Sequence, residues 1–180
     1  MLNRAELRRS LEALPVADAL EGGHRSAILE LLSLPGDVGA RTHYVPGHLT
    51  ASAFVLSPDA TSLLLIHHSK LGRWLQPGGH LEPEDESLLA AARREAREET
   101  GLDELELLVG PFDVDVHEIP PRSDAPAHLH FDVRYLFRAR SEVVRGGSDA
   151  LDARWFPLRD SGTWATDESV LRAARKLSSR

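Results

Sequence analysis

The chain has 180 residues, no cysteine and a formal net charge of −7 at pH 7. This length suits one domain, and the missing cysteines exclude a disulfide framework, a thiolate zinc site and a cysteine nucleophile. The negative charge argues against a nucleic-acid polymer as partner but permits a nucleotide, whose phosphates bound metal ions can neutralise. The charged Arg4 and Glu6 are untypical of a signal peptide and the apolar runs are too short to span a bilayer, so we expect a cytoplasmic protein with no membrane partner.

The first segment, residues 1–36, is predicted to be a helical N-terminal extension. Asn3, with Glu6 three residues later, forms a capping pair that opens a helix, and Pro15 ends it. A second helix with an apolar face is predicted from about residue 23 to residue 32. These helices can serve as an interface or as a lid, so a homodimer is one hypothesis.

Residues 46–178 are predicted to form the main domain, on a mixed β-sheet. The strongest helix prediction is residues 86–100, ended by Gly101, and Asp167 is predicted to cap a last helix. Residues 76–79 are a predicted loop. β-rich runs lie at residues 50–56, 62–67, 104–108, 112–119, 128–138 and 153–156. Strands and helices without regular alternation favour an α+β fold, an α/β/α sandwich on a mixed sheet.

Three glutamates share one face of the strongest predicted helix. Glu95, Glu98 and Glu99 stand at i, i+3 and i+4, so their like charges repel one another unless a cation lies between them. A hard divalent ion with oxygen ligands, such as Mg²⁺ or Mn²⁺, suits them best. Arg94 precedes Glu98 by four residues and can hold a carboxylate in place, and the Gly78-Gly79 pair lets the backbone approach a metal or a phosphate. The alternative is a solvated helix face laced with salt bridges.

The array over residues 79–102 resembles the Nudix box, and the similarity extends from about His48 to the C-terminus. Six residues, 80 to 85, separate Gly79 from Glu86, one more than the motif has, so that Asp85 stands where strict spacing puts the acid. The positions that take their places in the motif are Glu86, Arg94, Glu95, Ala96, Glu98, Glu99, Gly101 and Leu102.

The resemblance implies a Nudix-type pyrophosphohydrolase that acts on acid anhydrides and cleaves a nucleoside diphosphate derivative, with ADP-ribose or a nucleotide sugar favoured. It implies a Mg²⁺ ion, with Mn²⁺ as a substitute, and these ligands: the carbonyl of Gly79 and the carboxylates of Glu95, Glu98 and Glu99. One of the glutamates is expected to take a proton from water, with Glu95 as first choice and a base on a later loop as the alternative. Arg94 and Glu86 are expected to orient those ligands.

Nine histidines are unusual for a chain of this length, and several alternate with other polar residues along predicted strands. Because alternate residues of a strand share a face, each of two strands has a polar face. On the first strand this face carries Asp113, Asp115 and His117, and on the second it carries His128, His130, Asp132 and Arg134. We expect this polar face to bind substrate, with contacts from Arg134, His80, His117 and His130. A second metal site that uses His48, His80 and one later histidine is a further hypothesis. Solvent-facing histidines without a function are the alternative.

Two other functions share the fold. Isopentenyl diphosphate isomerases have histidine-rich metal sites that resemble His48 and the Gly79-His80 pair, but they rely on a cysteine, and this chain has none. A non-catalytic nucleotide-sensing or binding module is the second alternative. Such a module is expected to lose metal carboxylates, whereas Glu95, Glu98 and Glu99 are all present.

Overall fold

The computed structural model describes residues 2–69, 71–147 and 150–178. Within these ranges the helices are α1 (Arg4–Glu12), α2 (Ala19–Leu31), α3 (Leu88–Thr100) and α4 (Glu168–Ser178), with a 3₁₀ helix at Leu158–Thr163. The strands are β1 (Gly47–Leu56), β2 (Ser62–His68), β3 (Arg73–Leu75), β4 (Gly78–His80), β5 (Leu105–Ile119), β6 (His128–Ala139) and β7 (Ala150–Pro157).

The strands form one mixed sheet, as the irregular alternation of elements predicts. Its main order is β3-β2-β1-β6-β5, with β4 beside β1 and β7 beside β2. β1 runs parallel to β6 and antiparallel to β2 and β4, so the central strand joins both kinds of pairing. Every residue of β1 is buried, because helices cover the sheet on both faces.

The two faces of β1 supply two separate apolar cores, which confirms the α/β/α sandwich. On one face Ala51 and Val55 pack in a cluster that also contains Ala92 and Ala96 of α3. On the other face Phe54 packs in a cluster with residues of α4. Successive side chains of a strand point to opposite faces, so the alternation along β1 divides the interior into these two layers.

The N-terminal helices share the first of these cores. Leu11 and Ile28 belong to the same cluster as Ala51, and Glu21 of α2 forms a buried ion pair with Lys176 of α4. The extension predicted for residues 1–36 therefore packs into the fold. Within residues 2–69, 71–147 and 150–178, no helix is long and apolar enough to cross a membrane.

Some predicted boundaries were wrong. α2 begins at Ala19 because Asp18 caps it, accepting the Glu21 amide at 2.8 Å, and the glycines at residues 22 and 23 lie inside the helix. The two strands predicted at residues 104–108 and 112–119 form the single strand β5, whose register shifts accommodate the irregular segment between them. The loop predicted at residues 76–79 ends in β4, because Gly78 and Gly79 pair with β1.

Candidate active site

Helix α3 is bounded by local signals at both ends. Ser87 caps its start, with the side chain accepting the amide of Ala90, and Gly101 ends it in the left-handed conformation, at φ 71°. Small apolar residues, Ala92 and Ala96 among them, are completely buried against the sheet. The helix therefore lies close to β1 and β4, and its glutamate face is held beside the two glycines of β4.

Gly79 and Glu95 meet closely at this contact. A Cβ atom on Gly79 would lie 2.5 Å from Oε1 of Glu95, so a side chain there would push the carboxylate away. The neighbouring amide of Gly78 donates to Oε2 of Glu99 at 3.0 Å. The structure thus brings together three of the predicted metal ligands, Gly79, Glu95 and Glu99.

Arg94 connects the remaining carboxylate to this group. Its Nη1 atom donates to Oε1 of Glu95 at 2.9 Å and to Oε2 of Glu98 at 3.2 Å. Its Nη2 atom donates to the carbonyl of His80 at 2.9 Å and to Oδ2 of Asp85 at 2.9 Å. The hydrogen bond that Arg94 donates to Asp85 and the negative charge of Glu95 raise the pKa of Arg94 further above its ordinary value. Arg94 therefore holds oxygens of Glu95 and Glu98 around one nitrogen atom.

The extra residue before the helix changes which acid meets Arg94. Asp85, at the strictly spaced position, accepts from Arg94 and also accepts the amide of Glu82 at 2.8 Å. Burial by itself raises the pKa of Asp85, but these hydrogen bonds lower it, and the carboxyl group stays ionised. Glu86 is exposed and makes no ion pair with Arg94 among the described residues. The orienting position predicted for Glu86 is therefore occupied by Asp85.

The carboxylates suit a hard divalent cation. The side chains of Glu95, Glu98 and Glu99 and the backbone of Gly79 offer oxygen atoms along the contact between α3 and β4, and oxygen is the ligand type that Mg²⁺ prefers. Burial raises the pKa of Glu95, although the charge and hydrogen bond of Arg94 act in the opposite direction.

Five histidines cluster on the other face of the sheet from Glu95. His80 follows Gly79 in β4, so its side chain points away from the face that Gly79 presents to Glu95. The ring centroid of His48 lies 4.8 Å from that of His130 and 5.0 Å from those of His80 and His128. His117 lies 5.5 Å from His130, so the structure does bring together His80, His117 and His130.

Three rings of this histidine cluster, those of His48, His80 and His130, favour the uncharged form. Burial, together with the surrounding histidines, lowers the pKa of His80 to about 4 and that of His130 to about 2. Burial also lowers the pKa of His48. These rings therefore offer lone pairs and neutral hydrogen bonds and no positive charge for a phosphate.

Arg134, predicted as a phosphate contact, is buried away from solvent, with 2% of its surface exposed. Its guanidinium donates to Oδ2 of Asp132 and to Oδ2 of Asp113, both at 2.9 Å, and to Oγ of Ser169 at 2.6 Å. Oδ2 of Asp115 lies 3.4 Å away. The prediction that Arg134 binds substrate was wrong, because its charge and its donors are already satisfied inside the protein.

Sequence reasoning missed the partners that make this buried network possible. Arg172 of α4 donates to Oδ2 of Asp113 at 3.1 Å, and Thr50 and Ser52 of β1 donate to Asp132 at 3.1 Å and 2.9 Å. The polar alternation of β5 and β6 was visible, but nothing local in α4 indicated that Arg172 reaches the same aspartates. The usable signal was the pair of small hydroxyl residues inside an otherwise apolar strand.

Comparison with known proteins agrees with this geometry. The sequence matches the family model for the NUDIX domain over residues 46–175, which is more than half of the chain. Comparison with curated protein sequences finds no match.

Solved structures with the same fold include three with different activities or ligands. A NUDIX-family hydrolase from Clostridium perfringens is 24% identical, with a TM-score of 0.59, and the match covers 73% of this chain and 96% of that chain. An Ap4A hydrolase from C. elegans, in a binary complex, is 19% identical with a TM-score of 0.58 over 73% and 95% of the two chains. The NUDIX domain of Shewanella oneidensis NrtR, complexed with ADP ribose, is 22% identical with a TM-score of 0.55 over 73% and 86%. These structural similarities show that the fold is shared. The assignment of the chain to a family rests on the match to the family model.

Proposed function

Because the chain belongs to the Nudix family and is a pyrophosphohydrolase that acts on acid anhydrides, we propose that its substrate is a nucleoside diphosphate derivative of the ADP-ribose or nucleotide-sugar type. The observation that carries the proposal is the position of Glu95 and Glu98 on one nitrogen of Arg94, with Gly79 in contact with Glu95. The same fold holds ADP ribose in the NUDIX domain of NrtR, which supports a nucleotide-type ligand.

We assign the divalent ion, Mg²⁺ or Mn²⁺, to Gly79, Glu95, Glu98 and Glu99. An ion bound there would supply positive charge where the cleaved diphosphate develops negative charge. Glu99 is 4% exposed, and its bond to the amide of Gly78 fixes β4 relative to α3. Glu98 is the more exposed carboxylate, with 43% of its side chain accessible, so it lies nearest to an incoming substrate.

Glu95 is the proposed general base. Its carboxylate is confined between Gly79 and Arg94, so it is held in one place while water is positioned for attack. Arg94 is a positioning residue in this scheme, because its donors are engaged by Glu95, Glu98 and Asp85 and by the carbonyl of His80. Asp85 in turn fixes the guanidinium plane of Arg94.

Substrate contacts are proposed for His80 and His117. The side chain of His117 is 46% exposed and its Nδ1 atom lies 3.1 Å from Oδ2 of Asp115, which orients the ring. His130 is surrounded by other imidazoles and is less open to a substrate. These contacts would use neutral hydrogen bonds and stacking, because the charged Arg134 is unavailable.

The test is a hydrolysis assay with a substrate panel and a pair of matched variants. ADP-ribose, nucleotide sugars, dinucleoside polyphosphates and nucleoside triphosphates are incubated with Mg²⁺ or Mn²⁺, and phosphate-containing products are followed. We expect cleavage of ADP-ribose or a nucleotide sugar, and its loss in Glu98→Gln, because an amide is a poor ligand for the ion. Glu104→Gln, at an exposed position near the end of β5, serves as the charge-matched control and should retain activity. If neither ion supports cleavage of any compound, the proposal fails and the nucleotide-binding alternative gains support.

A further inference from the structure

Three histidines converge on one point beside β1. Their ligand-type nitrogen atoms, one each from His48, His128 and His130, all lie within 4.8 Å of one another. His48 of β1 is the register partner of His130 in the parallel pair β1–β6, and His128 lies two residues before His130 on the same strand. Because residues two apart on a strand share a face, the sheet itself holds the three rings together.

The backbone fixes which nitrogen of two rings carries the proton. Nδ1 of His48 lies 3.2 Å from the carbonyl of His43, and Nδ1 of His128 lies 2.7 Å from the carbonyl of Pro126. A carbonyl oxygen only accepts, so Nδ1 is the donor in both rings and each neutral ring has its lone pair on Nε2. A histidine that ligates a metal commonly donates its other N–H to a backbone carbonyl in this way.

One of these lone pairs has no partner within the described part of the chain. Nε2 of His48 is buried and makes no hydrogen bond to any residue that the structure describes, and His48 as a whole is 1% exposed. A buried polar atom without a partner lowers stability, and such atoms are rare in folded proteins. The unpartnered nitrogen belongs to the ring at the centre of the histidine cluster, which points to a ligand there.

We propose that His48, His128 and His130 bind a transition-metal ion of the zinc type, separate from the Mg²⁺ assigned to the glutamates of α3. Neutral imidazoles suit zinc, copper, nickel and iron, whereas Mg²⁺ prefers oxygen ligands. Three protein ligands leave one position of a tetrahedral ion open, as in zinc sites that take a water or a substrate atom. The ring of His80, with its centroid 5.0 Å from that of His48 and 4.9 Å from that of His130, is the neighbouring imidazole.

A metal ion fits this cluster better than a phosphate group does. Phosphate oxygens accept hydrogen bonds, and the Nε2 lone pairs of His48 and His128 would face them as acceptors. The proposal does not depend on the hydrolase reaction, because none of the three histidines is among the residues assigned to Mg²⁺.

The test measures metal content on protein made without a histidine tag and without chelator. Elemental analysis should find about one zinc-type ion per chain in the wild type, as expected for a single three-ligand site. His130→Gln, which keeps the volume of the side chain, and His128→Asn should each lose most of this ion. His67→Gln, which alters a histidine on β2 outside the cluster, is the matched control and should retain it. Circular dichroism verifies that each variant is folded.

Cobalt substitution separates the two metal sites. Co²⁺ bound to three imidazoles should give the visible absorption of four-coordinate cobalt, and it should raise the melting temperature of the wild type and of Glu98→Gln but not of His130→Gln. Two results would overturn the proposal: no retained ion and no melting shift with either Zn²⁺ or Co²⁺, or an ion that survives in His130→Gln and is lost in Glu98→Gln. The second result would place the ion on the glutamates.

Discussion

Two clusters in this protein are built alike, with a central arginine surrounded by carboxylates, and they differ in burial. Arg94 forms ion pairs with four carboxylates, and two of these side chains are well exposed, Glu82 at 57% and Glu98 at 43%; the other two are Asp85 and Glu95. Arg134 contacts three aspartates whose side chains are at most 8% exposed, namely Asp113, Asp115 and Asp132. The same residue types thus form an open cluster on a helix and a closed one between the sheet and α4.

Because the two clusters differ in burial, Arg134 and Arg94 have different roles. In the closed cluster a second guanidinium, from Arg172, also pairs with Asp113, and hydroxyl groups of β1 donate hydrogen bonds to Asp132. Buried charges require such pairing, because they have left water. In the open cluster Arg94 alone faces an excess of carboxylates, which supports the proposal that a divalent cation binds there. Composition alone does not distinguish a structural cluster from a catalytic one, whereas burial and charge balance do.

The largest effect is expected when the closed cluster loses its central cation. Arg134→Met leaves three buried aspartates short of a partner, so the free energy of unfolding should fall by about 3–5 kcal/mol. The matched Arg94→Met change should lower it by only about 1–2 kcal/mol, because solvent reaches the open cluster, while hydrolysis is lost. Urea unfolding measures both values. Equal losses of stability in the two variants would contradict the comparison.

A smaller effect, on kcat/KM, should show whether Asp85 or Glu86 positions Arg94. Asp85→Asn removes the charge that holds Arg94, so kcat/KM for the cleaved substrate should fall about 10- to 100-fold, as for other residues that orient metal ligands. Glu86→Gln, one residue later and exposed, should leave the rate little changed. Steady-state kinetics on both variants provide the measurement. If Glu86→Gln is the more damaging change, Asp85 is not the residue that positions Arg94.

The smallest effect concerns how the closed cluster responds to pH. Burial raises the pKa of Asp113 from its ordinary 3.8 to about 6, against the opposing charges of Arg134 and Arg172. Between about pH 4 and about pH 6 the folded protein therefore keeps a proton on Asp113 that the unfolded chain has lost. The stability that this proton contributes declines as pH rises through that range. Asp113→Asn removes that decline. Urea unfolding at intervals across this range tests it, and an unchanged dependence on pH would show that Asp113 is ionised throughout.

Local pattern accounts for the parts of the site that lie on one element. The spacing of Glu95, Glu98 and Glu99 places them on one face of any helix, and Ser87 and Gly101 bound that helix by their own side-chain and backbone preferences. The mixed sheet followed likewise from the order of the β-rich runs. Such features depend on neighbours a few residues away, so the sequence shows them directly.

The parts that sequence analysis got wrong depend on distant neighbours. The orienting role was predicted for Glu86, with Asp85 noted only as the acid at the strictly spaced position, and the path of the loop over Arg94 brings Asp85 to the guanidinium.

The sequence by itself therefore determined the family, the helix that carries the glutamates and the polar faces of β5 and β6. Only the tertiary structure decided that Arg134 is enclosed by α4 while Arg94 stays open, and that His48 meets His128 and His130. The physical reason is that residue spacing sets which side chains share a face, whereas burial and charge balance are set by the elements that pack on that face.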